Sequence, residues 1–207
     1  VNENIMELLL AIDAAKRAAA KNINVVVPYF PYSRSDKKDQ PRIPITASLI
    51  AKLLEAAGAT RVITCDLHNG AIQAYFNIQC ERLTGERILE KYFESKELKD
   101  IAIVATDAGS AKKAYKYSKY FAAPMVLIDK RRKANNDDAK AINIIGDIKG
   151  KTAIIFDDEI STGGTLTEAA RIVEENGAKE IYAACTHGIL CGNAIKKIEE
   201  SPIKELI

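Results

Sequence analysis

The sequence predicts an α/β protein in which parallel sheets are flanked by helices. Short β-branched runs recur along the chain, and most of them alternate with segments whose apolar residues recur at helical spacing. The chain has 207 residues, of which 47% are apolar, so it is large enough to bury the core that such sheets need. The composition therefore excludes the disordered and fibrous classes of protein.

The chain opens with a helix and a strand. Asn2 is placed to cap the helix, because the apolar residues that follow it recur at helical spacing. The apolar run 23–27 predicts a buried strand. A polar loop with three prolines spans 29–44, and a second helix follows over 46–58.

The rest of the chain repeats this alternation. Further β-branched runs predict the strands 61–65, 101–105, 125–128, 152–156 and 180–184. Helical spacing predicts the helices 85–93, 111–120 and 166–175. The segment 76–84 shows neither period, so we expect an irregular connection there. We predict that it divides the chain into two domains, 1–80 and 81–207.

Charge and cysteine usage exclude several classes of partner. The 30 basic and 28 acidic residues nearly balance, so no long-range field marks a binder of nucleic acid or of a membrane. The longest uncharged stretch, 181–195, is shorter than the roughly 20 residues of a membrane helix. Four cysteines without a CxxC pair indicate reduced thiols and a cytoplasmic protein. The chain begins with Val1, so we expect that an upstream portion is missing.

The strongest functional signal follows the predicted strand 152–156. An acid pair comes directly after the strand, and a Ser-Thr-Gly-Gly-Thr turn then opens a helix. Hydroxyls and the N–H groups of a helix start favour a phosphate, whereas carboxylates accept hydrogen bonds from sugar hydroxyls. A sugar phosphate carries both groups, and an ordinary strand-turn-helix connection is the alternative. The candidate residues are Asp157, Asp158, Ser161, Thr162, Gly163, Gly164 and Thr165.

Other loops that follow strands also carry polar side chains, at the edge where parallel sheets bind ligands. Arg34 lies in the loop 29–44, which by itself is typical of a solvated surface loop. His68 follows a strand, where a single histidine is usually structural. The turn 107–110 ends a strand with an acid and small residues, which suits a pyrophosphate or a metal. The basic run 130–133 is by itself a solvated turn or a small nucleic-acid patch.

Taken together, these motifs resemble the ribose-phosphate pyrophosphokinase family. The segment 157–165 is similar to the phosphoribosyl-binding motif that this family shares with type I phosphoribosyltransferases. The similarity extends over the whole chain, through the segments 1–9, 28–34, 66–68 and 129–132. It implies two Rossmann-like domains of type I phosphoribosyltransferase fold, with the N-terminal domain incomplete. The chain thus resembles the central portion of a longer enzyme.

The resemblance also implies an activity. It is transfer of the diphosphoryl group of MgATP to the anomeric hydroxyl of ribose 5-phosphate, which yields 5-phosphoribosyl 1-diphosphate (PRPP) and AMP for nucleotide biosynthesis. The implied partners are ATP and ribose 5-phosphate, with Mg²⁺ as cofactor and without nucleic acid or membrane. A cytoplasmic homo-oligomer, either a dimer or a hexamer, is implied as well.

Each loop receives a role from the same resemblance. Arg34 and Ser35 are implied to bind ATP. His68 and Asp107 are implied to be ligands of Mg²⁺. Lys130 and Arg132 are implied to be catalytic, on a loop that closes over the transferring group. The acid pair and the turn 161–165 are implied to bind ribose 5-phosphate.

The chain departs from the family pattern at several positions. Ser35 stands where Gln is frequent, so one ATP contact is expected to be weaker. Ser161 stands where an acid is common, and the absence of that acid's carboxylate near the sugar C1 predicts slower turnover. Asn77 is neutral at a position that is acidic in some relatives, and Lys133 and Ala134 follow the basic run where proline is frequent.

Two other functions remain open. A type I phosphoribosyltransferase would use the segment 157–165 with PRPP as substrate, but it has no use for Arg34, His68 and Lys130 together. A non-catalytic regulatory subunit would associate with an active synthetase. The presence of the acid pair and of both basic residues, Lys130 and Arg132, favours an enzyme.

Overall fold

The protein, analysed as a computed structural model, is described for residues 1–132 and 140–207. Its contacts divide the chain into two compact units, Val1–Gly85 and Glu86–Ile207. The division follows the segment 76–84, near which the domain boundary was predicted.

The first unit contains a parallel sheet covered by helices. Its elements are α1 (Asn2–Arg17), β1 (Asn24–Val27), α2 (Thr46–Ala57), β2 (Arg61–Cys65), a short 3-10 helix (Gly70–Tyr75) and β3 (Gln79–Leu83). The sheet order is β1-β2-β3, and both pairs are parallel. The core includes Ile12, Val25, Leu54 and Val62.

Two local predictions in this unit are wrong. Val1 takes the N-cap position of α1, so Asn2 lies inside the helix, where its side-chain oxygen accepts a hydrogen bond from the Tyr32 hydroxyl. The segment 76–84 is not irregular, because it contains β3. Polar residues outnumber apolar ones in β3, so it lacks the apolar run by which the other strands are recognised.

The second unit contains a larger sheet. Its elements are α3 (Glu86–Ser95), β4 (Ile101–Ala105), α4 (Ala111–Tyr120), β5 (Met125–Arg132), β6 (Lys140–Ile145), β7 (Thr152–Ile160), α5 (Gly164–Glu175), β8 (Glu180–Gly188), α6 (Ala194–Glu199) and β9 (Glu205–Leu206). The sheet order is β6-β5-β4-β7-β8-β9. Among these strands, all pairs are parallel except β5 with β6, which is antiparallel. The elements β6, α6 and β9 were not predicted from the sequence.

The centre of this sheet is covered on both faces. Ala153 and Ile155 of β7 belong to the core on one face, and Ile154 and Phe156 belong to the core on the other. All four side chains are at most 2% exposed. A strand buried on both sides reads as a continuous apolar run, which explains why β7 was recognised from the sequence. The predicted α/β fold with parallel sheets flanked by helices is confirmed.

In the part of the chain that the structure describes, no helix is long and apolar enough to cross a bilayer. None of the four cysteines, all of which the structure describes, is joined in a disulfide; Cys191 is exposed and the other three are half-buried.

Candidate functional site

The acid pair lies inside β7 rather than beyond its end. The predicted strand ended at residue 156, but β7 continues to Ile160, which pairs with Gly188 of β8. Asp157 lies beside Cys185 in the same register. The side chains of Asp157 and Asp158 are close enough to interact with each other, and Asp157 is also affected by the charge of Lys113.

Burial and mutual repulsion perturb the acid pair. Asp157 is half-buried, and its Oδ1 accepts a hydrogen bond from the backbone N–H of Asp158 at 2.8 Å. Burial, followed by the neighbouring Asp158 carboxylate, raises the pKa of Asp157 to about 7. Burial also raises the pKa of the adjacent Cys185 thiol to about 11. Burial thus disfavours the charged form of Asp157.

A lysine that was not singled out from the sequence contacts this pair. Nζ of Lys113, on α4, lies 3.3 Å from Oδ1 of Asp158. Its charge favours the ionised form of the neighbouring acids, against the effect of burial. Nothing in the pattern of α4 distinguishes Lys113 from the helix's other lysines, so only the packing of α4 on β7 reveals the contact.

The turn after β7 has the form of an anion site. Gly163 is the N-cap residue of α5 and has φ +73°, a conformation that favours glycine. Among the described residues, no side chain caps this helix start, so its first N–H groups face the turn. The hydroxyl-bearing Thr162 and Thr165 are exposed, and Ser161 is half-buried. Backbone N–H groups and hydroxyls are thus grouped next to the acid pair, as the sequence predicted.

The turn that carries Asp107 is internally ordered. Oδ1 of Asp107 accepts a hydrogen bond from the backbone N–H of Ser110 at 2.9 Å, and the Ser110 hydroxyl donates to the Asp107 carbonyl at 3.0 Å. A Cβ at Gly109 would lie 3.2 Å from Asp107 Oδ1, so a larger residue there would push this carboxylate oxygen aside by a few tenths of an ångström. The Asp107 side chain itself is exposed. The turn therefore presents an oriented carboxylate to solvent.

The two basic candidates lie on β5. The backbones of Lys130 and Arg132 are in strand conformation and pair with Ile142 and Lys140 of β6. Their side chains, together with residues 133–139 of the predicted closing loop, lie outside the described residues. A loop was expected to begin at Lys130, whereas the strand extends to Arg132.

Four strands of the second unit direct these candidates to one edge of the sheet. Since β4, β5, β7 and β8 run parallel, their carboxyl ends lie on the same side. The turn with Asp107 follows β4, while the basic residues and the acid pair belong to the last parts of β5 and β7, so the candidates lie on three neighbouring strands in the order β5-β4-β7. This is the edge at which open α/β sheets bind ligands.

In the first unit, Ser35 has a structural task. The backbone N–H of Thr46 donates to Ser35 Oγ at 3.3 Å, and Ser35 Oγ donates to Thr46 Oγ1 at 3.2 Å. These bonds fix the loop after β1 on the first turn of α2. Arg34, the other ATP candidate, is exposed on the same loop. Phe30 of the same loop is buried against Phe76 in the core.

His68 follows the neighbouring strand. It is exposed, and the residue after it, Asn69, donates from Nδ2 to Oδ2 of the buried Asp36 at 2.6 Å. This hydrogen bond joins the loop after β2 to the loop after β1, so His68 and Arg34 belong to connected loops at one edge of the sheet. Among the described residues, no group of three or more His, Cys, Asp or Glu side chains is arranged to hold a metal ion.

Two polar side chains of the segment 76–84 make contacts within the first unit. Asn77 Nδ2 donates to Oε2 of Glu55 at 3.0 Å. Glu81 forms an ion pair with Arg61. Both side chains therefore serve the packing of the first unit.

Comparisons with known proteins agree with one another. Residues 1–58 match the family described as the N-terminal domain of ribose phosphate pyrophosphokinase, and residues 134–207 match the phosphoribosyl synthetase-associated domain. The ribose-phosphate pyrophosphokinase of Bacillus cereus is 55% identical and that of Bacillus subtilis 54% identical, each over 207 residues. The chain is fully covered in both matches and spans 65% of the length of each relative.

A solved structure extends the likeness to three dimensions. The phosphoribosylpyrophosphate synthetase from Mycobacterium smegmatis superposes with a TM-score of 0.92 at 36% sequence identity. The match covers 100% of this chain and 67% of the other. These matches show that the chain belongs to the ribose-phosphate pyrophosphokinase family.

Proposed function

We propose that the protein transfers the diphosphoryl group of MgATP to the anomeric hydroxyl of ribose 5-phosphate and so forms PRPP and AMP. One observation carries the proposal: the acid pair of β7 is followed directly by the uncapped, glycine-led start of α5. Carboxylates that accept from ring hydroxyls and N–H groups that bind a phosphate are what a phosphorylated pentose requires. The family to which the chain belongs supports this choice of sugar.

The ribose 5-phosphate site would consist of two adjacent parts. The 5-phosphate would be bound by the turn 161–165, where hydroxyls and the positive end of the α5 dipole stabilise an anion. Asp157 and Asp158 would accept hydrogen bonds from the ring hydroxyls. Ser161 would donate to the phosphate.

The ATP site would be built from the loops of the first unit. The exposed guanidinium of Arg34 would bind phosphate oxygens through two parallel hydrogen bonds. Ser35 would act at this site by fixing the loop on α2 through its bonds to Thr46. A longer side chain such as Gln at this position would reach further toward ATP than Ser35 does, so we expect ATP affinity to depend mainly on Arg34.

The proposed Mg²⁺ ligands fit a cation that arrives with ATP. Asp107 offers an exposed carboxylate that Ser110 orients, and His68 offers an exposed imidazole. Mg²⁺ retains water and phosphate oxygens as ligands, so few protein ligands suffice. Mg²⁺ would neutralise charge on the bridging phosphate oxygens.

The transfer needs no covalent enzyme intermediate. The anomeric oxygen attacks the β-phosphorus, the bond from that phosphorus to the α,β-bridging oxygen breaks, AMP leaves with that oxygen, and the hydroxyl proton is released. Lys130 and Arg132 would offset the charge that develops on the phosphate oxygens, and closure of their loop would exclude water. Positioning and electrostatics supply most of the rate enhancement in such transfers.

The proposal extends to assembly and location. We place the protein in the cytoplasm as a homo-oligomer, a dimer or a hexamer, that uses neither nucleic acid nor a membrane. A regulatory subunit and a type I phosphoribosyltransferase remain the alternatives, and both would use the same phosphate turn.

The test is AMP formation from MgATP and ribose 5-phosphate by the whole chain, with Asp157→Asn and Asp158→Asn as variants. Each loses a charged hydrogen-bond acceptor, so we expect kcat/KM for ribose 5-phosphate to fall by about 30-fold or more, with the KM for ATP little changed. Equal losses for both substrates would contradict the sugar site. PRPP consumption that depends on a purine or pyrimidine base would identify a phosphoribosyltransferase instead.

A further inference from the structure

Lys113 reaches the acid pair from a neighbouring element, and no role proposed above uses it. Its side chain is 30% exposed and that of Asp158 is 15% exposed. Solvent therefore screens this ion pair less than it screens a pair on the open surface. A cation in such a position affects both the charge and the direction of the carboxylate.

The fold brings the two groups together through a matched pair of contacts. β4 and β7 are neighbours, and α4 follows β4, so α4 covers one face of both strands. On that face, the ring of Tyr117 stacks on Phe156 with centroids 3.6 Å apart. One helical turn back along α4 is Lys113, and two residues forward along β7 is Asp158. Both steps span about 6 Å, so the stacked rings keep Lys113 over Asp158.

The two acids consequently differ in environment. Asp158 has the Lys113 ammonium group 3.3 Å from its Oδ1, whereas Asp157 lies beside Cys185 in the strand register. Two adjacent carboxylates resist simultaneous ionisation, and a cation beside one of them favours the charged form of that one. In this site the cation is next to Asp158.

We propose that Lys113 is a positioning residue for ribose 5-phosphate, which holds the Asp158 carboxylate charged and oriented toward the ring hydroxyls. This role rests on the proposed sugar site. A preorganised acceptor pays little ordering entropy when the sugar binds, so the contribution of Lys113 concerns the hydroxyl end of the ligand. Binding of the phosphate end by the turn 161–165 does not depend on it.

The experiment measures binding of ribose 5-phosphate and of inorganic phosphate to the whole chain by calorimetry. Lys113→Gln should weaken ribose 5-phosphate by about tenfold or more, because a charge-assisted interaction is lost, and should leave inorganic phosphate unchanged. Lys113→Arg should restore the affinity to within about threefold. Lys112→Gln is the matched control, since Lys112 is the neighbouring exposed lysine of the same helix.

The outcomes separate this role from the proposed function. If the wild-type chain binds inorganic phosphate but not ribose 5-phosphate, the sugar site fails and the role of Lys113 fails with it. If the wild type binds the sugar and Lys113→Gln matches Lys112→Gln, only the positioning role is overturned. An equal loss of both ligands in Lys113→Gln would show a merely structural role and would also overturn it.

Discussion

Two loops that each follow a parallel strand hold their candidate residues in different ways. The turn between β7 and α5 is defined by its backbone: β7 pairs with β8 up to Ile160, the N–H of Cys191 donates to the Ser161 carbonyl at 2.9 Å, and Gly163 has a positive φ. The loop after β1 relies on side-chain bonds as well, through Ser35 on Thr46 and Asp36 on Asn69, in addition to the backbone bond from the Ala47 N–H to the Ser35 carbonyl at 3.1 Å. A site that is shaped by its backbone needs particular residues next to one another in the chain, so it can be recognised in the sequence. A site held by side-chain bonds between distant residues shows no such motif.

The largest expected effect concerns the free energy of unfolding that the half-buried Asp157 costs the protein. An unfolded Asp ionises near pH 4, whereas Asp157 in the folded protein stays protonated up to about pH 7. Between these values the folded state binds more protons than the unfolded state, so the free energy of unfolding falls as the pH rises. Asp157→Asn removes this loss and should gain roughly 2 kcal/mol on wild type between about pH 4 and pH 7.

Urea unfolding of both proteins across that pH range measures the difference. The expected result is a gap that widens as the pH rises, in favour of the variant. A gap that is constant with pH would mean that Asp157 ionises alike in the folded and unfolded chains.

The next effect concerns the glycine that shapes the turn. Gly163→Ala places an alanine at φ +73°, which costs about 1 kcal/mol of stability, although its Cβ would meet other atoms only at ordinary distances of 3.5 Å and more. We expect ribose 5-phosphate affinity to fall about tenfold, since the helix start that we propose as the phosphate site would shift. Calorimetric titration with the sugar phosphate measures it.

Gly150→Ala is the matched control for this variant. Gly150 has the same φ of +73°, and no atom of the described residues lies within 4 Å of the place that a Cβ would take there. It precedes β7, at the opposite end of the strand. The control should lose similar stability and keep its affinity for the sugar. If both variants bind equally well, the conformation of Gly163 does not shape the anion site.

The smallest effect tests the loop that side chains hold. Ser35→Ala removes the hydroxyl that bonds to Thr46 at the start of α2, so we expect a loss of about 1 kcal/mol in the free energy of unfolding. ATP affinity should fall about two- to threefold as the loop loosens around Arg34. Thermal unfolding and ATP titration report the two quantities.

Ser95→Ala provides the comparison, because the Ser95 hydroxyl donates only locally, to the Tyr92 carbonyl of its own helix. If Ser95→Ala changed ATP affinity as much as Ser35→Ala does, the loss of affinity in Ser35→Ala would not be due to the loop. Unchanged stability of Ser35→Ala would indicate that the loop does not rely on this hydroxyl.

Whether an element could be predicted from the sequence depends on the contacts that stabilise it. β7 was predictable because a strand that is buried on both faces has a continuous run of apolar residues. The start of α5 was predictable because the turn before it needs glycine. β3 was not, since a strand with few apolar residues leaves no period. The antiparallel strand β6 was also missed, because its pairing with β5 is a tertiary relation.

Site residues divide along the same line. The acid pair and the phosphate turn were identified by adjacency in the chain, which a sequence displays. Lys113 was not identified, because its meeting with Asp158 depends on the stacking of α4 against β7. The structural task of Ser35 was hidden for a similar reason, since its partner Thr46 is eleven positions away in a different element.

β6 lies at the edge of its sheet, and this position affects how readily its backbone amide hydrogens exchange with solvent. β6 has one neighbouring strand among those described, whereas β7 is flanked by β4 and β8. Opening β6 would release only its bonds to β5, so amide hydrogens there can exchange with solvent without global unfolding, while those of β7 must await it. The basic residues of β5 thus border an edge strand that can open locally, whereas the acid pair follows the part of β7 that is paired with a strand on both sides.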